Sequence, residues 1–270
     1  MNKKNDKTII ALDTSTAAMA GAVMKGSELL AEVQSLAERN HSVHVITHLQ
    51  SMMQAAGISR DGLDAIAVGN GPGSYTGMRI AVTAAKTLAW VWNKPLIGVS
   101  SLEAIAFGAW REQAEAREAL AHGIYWVLPI MDARRGQVYS AGFTAAAGDS
   151  TGWSRLQEDG VRMMADWVDE LLQRAKEQGE EKRPVLVLTG DLSLHEGSAV
   201  RLQEEARLAG IEVRLYPHAI QGRAVAELGQ QRHAAGLVEN THTFAPNYTQ
   251  VTEAEAKLKA KQAAESGSQG

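Results

Sequence analysis

The residues that could do chemistry sit at strand ends and on one helix. Asp13-Thr14-Ser15-Thr16 closes an apolar, β-branched run at 8–13, and Gly69-Asn70-Gly71-Pro72-Gly73-Ser74 follows a second run at 63–68. A glycine-rich turn before a helix aims backbone N–H groups at the helix start, which can hold an anion. The favoured reading is a tight turn that lets the Ala-rich helix at 76–92 pack against its strand. The Walker phosphate loop needs two glycines separated by four residues and then a lysine. Here five residues separate Gly71 from Gly77 and Met78 stands at the lysine position, while Thr76 breaks the dinucleotide fingerprint at its third glycine. His44 and His48 have the i, i+4 spacing that can chelate a metal. No Asp or Glu lies between His41 and Ala56, so that helix reads as an interface or partly exposed face, and no metal site is expected. Asp132-Ala133-Arg134-Arg135-Gly136 places two arginines in one turn, suited to bidentate phosphate binding or to a solvated hairpin with a local ion pair. No G-x-S-x-G elbow anchors serine hydrolase chemistry. The inventory contains no complete catalytic set.

The elements that must position these residues form an α/β pattern. Short strands at 8–13, 18–24 and 28–36 open the chain as a meander, with Gly26 suited to the second turn. A helix at 41–56, a strand at 63–68, a helix at 76–92, a strand at 97–99 and a helix capped by Ser101 follow. Strands at 124–131 and 137–143 then precede a helix at 165–176, a strand at 185–188, a helix near 198–208, a strand at 212–215 and a helix at 223–235. Strands first and alternating helices afterwards occur twice, so the second half echoes the first. Three segments divide the chain: a domain over 1–104, a second over 105–252 with an exposed helical insertion near 111–121, and a disordered tail over 253–270.

Length and composition bound the function. At 270 residues there is room for about two domains. The absence of cysteine excludes disulfides, thiolate metal sites and a cysteine nucleophile. Lys plus Arg is 27 against 31 Asp plus Glu, a net charge of −4, which argues against a dedicated nucleic-acid binder. No apolar run approaches a membrane span, and Ile9-Ile10-Ala11-Leu12 is too short for a signal peptide, so a cytoplasmic location is expected.

Asp13-Thr14-Ser15-Thr16 is similar to the phosphate hairpin of actin-like kinases and ATPases, except that Ser15 stands where those proteins usually carry glycine. Several segments together resemble one family. Gly71-Pro72-Gly73-Ser74-Tyr75-Thr76-Gly77-Met78-Arg79-Ile80 is similar to the defining stretch of the TsaB (YeaZ) family. Ile10 to Thr16, Asn40-His41-Ser42, Gly98 to Ala104, Asp132 to Tyr139, and Pro246 with Tyr248 match in the family's order. The resemblance implies a duplicated actin-like (ASKHA, ribonuclease H-like) α/β fold of two domains. It also implies a non-catalytic scaffold and activator in the bacterial synthesis of N6-threonylcarbamoyladenosine at position 37 of tRNA. The implied partners are a TsaD subunit, which holds the metal and transfers the group, a TsaE ATPase, and a second copy of this chain when TsaD is absent. Contact with tRNA would be indirect. The pairing surface would be the two helices at 41–56 and 76–92, with His41, Val45, Leu49 and Met52 on one and Tyr75, Thr76, Arg79, Val82 and Thr83 on the other. On that reading, glutamate at Arg79 or Val82 breaks pairing and leaves the chain folded. ATP or ADP is implied only at the partner interface, where Arg134 is the candidate contact. The family's Pro-x-Tyr element usually continues Leu-Arg; here Thr249-Gln250 follow, leaving that end without an assigned role. The competing class is an actin-fold ATP-dependent enzyme, kinase-like or glycoprotease-like, which would bind ATP near Asp13 and the 71–77 loop. The sequence lacks the glycine after Asp13, the Walker lysine and the metal-binding quartet that such an enzyme needs.

Overall fold

The computed structural model describes residues 6–36, 41–115, 123–146 and 149–249. The first half runs β1 (Thr8–Asp13), β2 (Ala18–Lys25), β3 (Glu28–Leu36), α1 (His41–Ala55), β4 (Ala65–Gly69), α2 (Tyr75–Trp92), β5 (Leu96–Val99) and α3 (Ser101–Glu115). The second runs β6 (Ile124–Asp132), β7 (Gln137–Ala146), β8 (Asp149–Met163), α4 (Met164–Glu177), β9 (Val185–Gly190), α5 (Glu196–Leu208), β10 (Val213–Pro217) and α6 (Gly222–Ala234).

The duplication is explicit in the sheets. One has the order β3-β2-β1-β4-β5 and the other β8-β7-β6-β9-β10, the same order in the same chain sequence. In each, the first strand pairs antiparallel with the second and parallel with the fourth. Asp13 and Asp132 therefore occupy equivalent strand ends.

Strand residues alternate between two buried faces, which is why β1 reads as a continuous apolar run. Ile10 and Leu12 meet Val45, Leu49 and Val82 of α1 and α2, while Ile9 and Ala11 face α3 and α6. In the second half, Leu128 and Leu188 pack with α4 and α5, and Val127 and Val187 belong to the central layer. Helices α3 and α6 thus lie between the two sheets, and one apolar cluster draws on both halves.

Helix α3 runs unbroken from Ser101 to Glu115, through the expected boundary at 104/105. Residues 111–115, expected in an exposed insertion, are its last turns. Arg111 there bonds Glu227 at 2.8 Å and Gln221 at 3.1 Å, both on or next to α6. Residues 116–121 and the expected tail at 253–270 lie outside the described residues. Strand β8, absent from the sequence-based expectation, is an edge strand pairing with β7 alone. Its half-solvated polar run Arg155 to Arg162 hides the strand period.

His218 follows β10 and is buried between the halves, its Nδ1 3.2 Å from Glu112 Oε2 of α3. Burial lowers its pKa below the ordinary 6.5, opposed by the Glu112 carboxylate. The unfolded chain takes up a proton near pH 6.5 that the folded one resists, so unfolding gains as pH falls. The stabilisation is present above pH 6.5 and is lost as pH falls through that value toward the folded pKa. Melting curves between pH 8 and 5 should show a fall in Tm that is smaller in His218→Gln.

Candidate functional site

The Asp13 turn is filled by the protein itself. Asp13 is wholly buried; its Oδ1 accepts from Ser15 N at 2.6 Å and Ser15 Oγ at 2.7 Å, and its Oδ2 accepts from Ser101 Oγ at 2.5 Å. Ser101 Oγ in turn accepts from Gly71 N at 3.0 Å. Thr14 Oγ1 donates to the Gly77 carbonyl at 2.6 Å, and Ser74 N donates to the Ser15 carbonyl at 2.7 Å. The glycines make this close approach possible: a Cβ at Gly77 would collide with the Thr14 carbonyl, and Gly71 adopts φ +98°. Burial raises the Asp13 pKa above its ordinary 3.8, against the pull of the Ser101 and Ser15 hydrogen bonds. A phosphate here would have to displace the 71–77 loop. Of the two roles open to this loop, tight packing is the one realised.

The first turn of α2, capped by Ser74 Oγ on Gly77 N, leads onto an open groove between α1 and α2. Its volume is about 570 Å³, and Ile46, Ile80, Thr83, Ala84 and Leu88 line it, with Tyr75 and Arg79 at one end. Neither helix contains an Asp or Glu. Ile46 is 46% exposed, Tyr75 48% and Trp90 65%. A helix face that is apolar, open and free of acids is unusual on a solvated surface.

Among the residues expected on a pairing surface, Tyr75, Thr76, Arg79 and Thr83 are exposed. Val45, Leu49, Met52 and Val82 are only 1–3% exposed and belong to the core. The stripe at 45, 49 and 52 is the one α1 turns onto the sheet, and Val82 shares the inward face of Met78, Ala85 and Ala89. A glutamate at Val82 would therefore unfold the chain, correcting the expectation that it spares the fold. The His41 side chain lies outside the described residues. Ile46, one position off the buried stripe, is an exposed apolar residue outside the helical periodicity of 45, 49 and 52.

The segment from Glu239 to Tyr248 reaches this same face. Glu239 N bonds the Leu96 carbonyl at 2.8 Å, Phe244 packs into the core, and Lys86 Nζ bonds the Phe244 carbonyl at 2.6 Å. Asn247 N then donates to the Asn70 carbonyl at 2.7 Å. Tyr248 is delivered to Arg79, whose Nε donates to its hydroxyl at 2.9 Å and whose guanidinium carbon sits 4.0 Å above the Tyr75 ring centroid. The Tyr248 bond raises the Arg79 pKa further above its already high ordinary value.

Arg134 is not part of this face. It lies at φ +66° in the β6–β7 turn, beside a second cavity of about 550 Å³ lined also by Asp132, Arg135, His195 and Ser198. Asp132 contacts His195 at 3.1 Å, so the local pair in this turn is not with an arginine. The His44 and His48 rings lie 6.1 Å apart, and among the described residues no three His, Asp or Glu side chains cluster to hold a metal ion. No helix of the described residues is long and apolar enough to cross a membrane.

The chain is 34% identical over 250 residues to the tRNA threonylcarbamoyladenosine biosynthesis protein TsaB of Bacillus subtilis, covering 93% of this chain and 97% of that protein. The chain belongs to the TsaB family. The TsaB of Escherichia coli is 37% identical over 133 residues, 49% of this chain and 53% of that one. A family model described as tRNA N6-adenosine threonylcarbamoyltransferase, TsaD, matches residues 33–264. The solved YeaZ from Pseudomonas aeruginosa superposes with a TM-score of 0.67 at 22% identity, covering 90% of this chain and 99% of that one. The fold is thus a duplicated α/β fold shared with the solved YeaZ. Within this TsaB chain, the Gly71–Ile80 stretch carries both the turn that fills the Asp13 pocket and the residues Tyr75 and Arg79 at the mouth of the groove. Tyr248 was legible only as half of the Pro-x-Tyr element, because its partner Arg79 lies 169 residues away.

Proposed function

We propose that this chain is a non-catalytic, partner-pairing subunit in the synthesis of N6-threonylcarbamoyladenosine at position 37 of tRNA. The relatives' names support the pathway, and the open, acid-free α1/α2 face is the observation that carries the pairing role. The match of this chain to the TsaD model supports pairing between related proteins. Two related subunits can pair through equivalent helices in a pseudo-symmetric four-helix contact. In this reading the face presses on a TsaD-like transferase and holds it in its productive conformation. A second copy of this chain takes the same face when the transferase is missing, and a TsaE-like ATPase joins the pair. A chain of net charge −4 leaves tRNA contact to its partners, and in this reading it works in the cytoplasm, beside the tRNA. ATP or ADP would bind at the junction with the partners, with Arg134 as its contact from this chain. The competing enzyme reading requires an open Asp13 loop, and that loop is spent on internal hydrogen bonds.

The test is reconstitution of the modification on tRNA with mass-spectrometric detection, omitting one protein at a time. Omitting this chain should abolish product, and supplying it without the transferase should yield none. Undiminished product without it, or product from this chain alone, would refute the reading.

A further inference from the structure

Arg79 is held from two sides in a way that a freely solvated arginine is not. Tyr75 lies under its guanidinium at 4.0 Å, the Tyr248 ring centroid is 5.8 Å away, and the Tyr248 hydroxyl occupies Nε. The two rings are themselves in contact, with centroids 5.5 Å apart. Among the described residues Arg79 has no carboxylate partner, although arginines elsewhere in this chain commonly do. Lys86, the other cation on α2, is tied to the Phe244 and His242 carbonyls. Among the described residues of α2, Arg79 is thus the charged group free for ion pairing, at the mouth of an apolar groove.

We propose that Tyr75 and Tyr248 hold Arg79 as a preset carboxylate receptor, so that the α1/α2 face selects a helical partner bearing an Asp or Glu opposite it. Three physical points carry this. A planar guanidinium pairs with a carboxylate in two parallel hydrogen bonds, and fixing its stem beforehand lowers the ordering cost of making them. Occupying Nε with Tyr248 leaves the terminal nitrogens to make the pair. And because α1 and α2 contain no acid, these helices in a second copy of this chain cannot supply the carboxylate, which makes self-pairing the weaker use of the face. Tyr248 is a positioning residue here: the C-terminal segment from Glu239 onward serves to bring it to Arg79. The proposal rests on the pairing reading above and goes further by stating the partner's chemistry.

The experiment measures the affinity of this chain for the TsaD-like transferase of the same organism at about 50 and 300 mM salt, where screening separates charge from packing. Arg79→Gln should weaken binding about 10- to 100-fold at low salt and remove most of the salt dependence. Arg79→Lys should restore the salt dependence and only part of the affinity. Tyr248→Phe, which keeps the ring and loses the hydroxyl, should bind several-fold more weakly through slower association. Melting temperatures should stay unchanged in all three. Native affinity and salt dependence in Arg79→Gln would overturn the proposal; if Ile46→Glu with Thr83→Glu still blocks binding in that case, the pairing reading survives alone. If that double variant also binds normally, the pairing reading fails as well. Tighter transferase binding after Glu253→Gln with Glu255→Gln would assign Arg79 to the chain's own C-terminus and overturn the proposal. Self-association of the native chain stronger than its transferase binding, and lost in Arg79→Gln, would assign it to a second copy with the same consequence.

Discussion

Replacing Asp13 by alanine is expected to destabilise the fold by about 3–5 kcal/mol, the largest stability loss of any single polar side chain in the first half. The carboxylate accepts three hydrogen bonds in a place that water does not reach, and Ser101 links it onward to the Gly71 backbone. Alanine would orphan the Ser15 amide, the Ser15 hydroxyl and the Ser101 hydroxyl together. It would also loosen the clamp joining the end of β1, the start of α3 and the loop before α2. Asp13→Asn keeps the shape and the Oδ1 acceptor, and should cost about 1–2 kcal/mol. The pH dependence separates charge from shape. The folded pKa lies above the unfolded 3.8, so Asp13 contributes most below pH 3.8, and that contribution is lost as pH rises through the folded value. The stability gap between the native chain and Asp13→Asn should therefore narrow with rising pH across that window. Urea melts at a series of pH values measure both. A gap that widens with pH would contradict the account.

The second large effect is on assembly. Ile46→Glu with Thr83→Glu places two carboxylates in the groove at positions that already face solvent. Glutamate is at least as good a helix former as isoleucine or threonine, so the free chain should fold and melt normally. Burying two unpaired charges against a partner costs several kcal/mol, so pairing should weaken by about 1000-fold or more. Modification of tRNA in the reconstituted system should fall to the level seen without this chain. Val82→Glu makes the necessary contrast: Val82 packs with Ile10 and Leu12 in the core, so this variant should lose the fold itself. Activity lost in both, with folding lost in only one, would place the pairing function on the exposed stripe.

The legible part of the structure was that governed by local pattern. Helices α1 and α2 appear at the expected places because Ala-rich or apolar periodicity ends at Gly57 and at Asn93, which adopts φ +51° as a left-handed cap. The duplication was visible as a repeated order of elements, since each half must bury both faces of one sheet. What was not legible depends on long-range packing. An apolar stripe shows that a helix has a buried side but not what buries it, and the sheet beneath α1 and α2 covers Val45, Leu49, Met52 and Val82, which their spacing alone would equally allow on a pairing surface. Likewise Asp13 followed by three hydroxyl residues has the composition of a phosphate turn. Only the arrival of Gly71 and Ser101 from distant segments shows that its hydrogen bonds are satisfied internally. Strand β8 escaped notice because an edge strand with one solvated face tolerates Glu158, Asp159 and Arg162.

The most direct test of the central claim is a calorimetric titration of the TsaD-like transferase with this chain and with the Ile46→Glu, Thr83→Glu variant. The account predicts saturation at one chain per transferase subunit for the native protein and no measurable binding for the variant, with identical melting curves for the two free chains. Equal affinity for both would show that the α1/α2 face is not where this protein meets its partner.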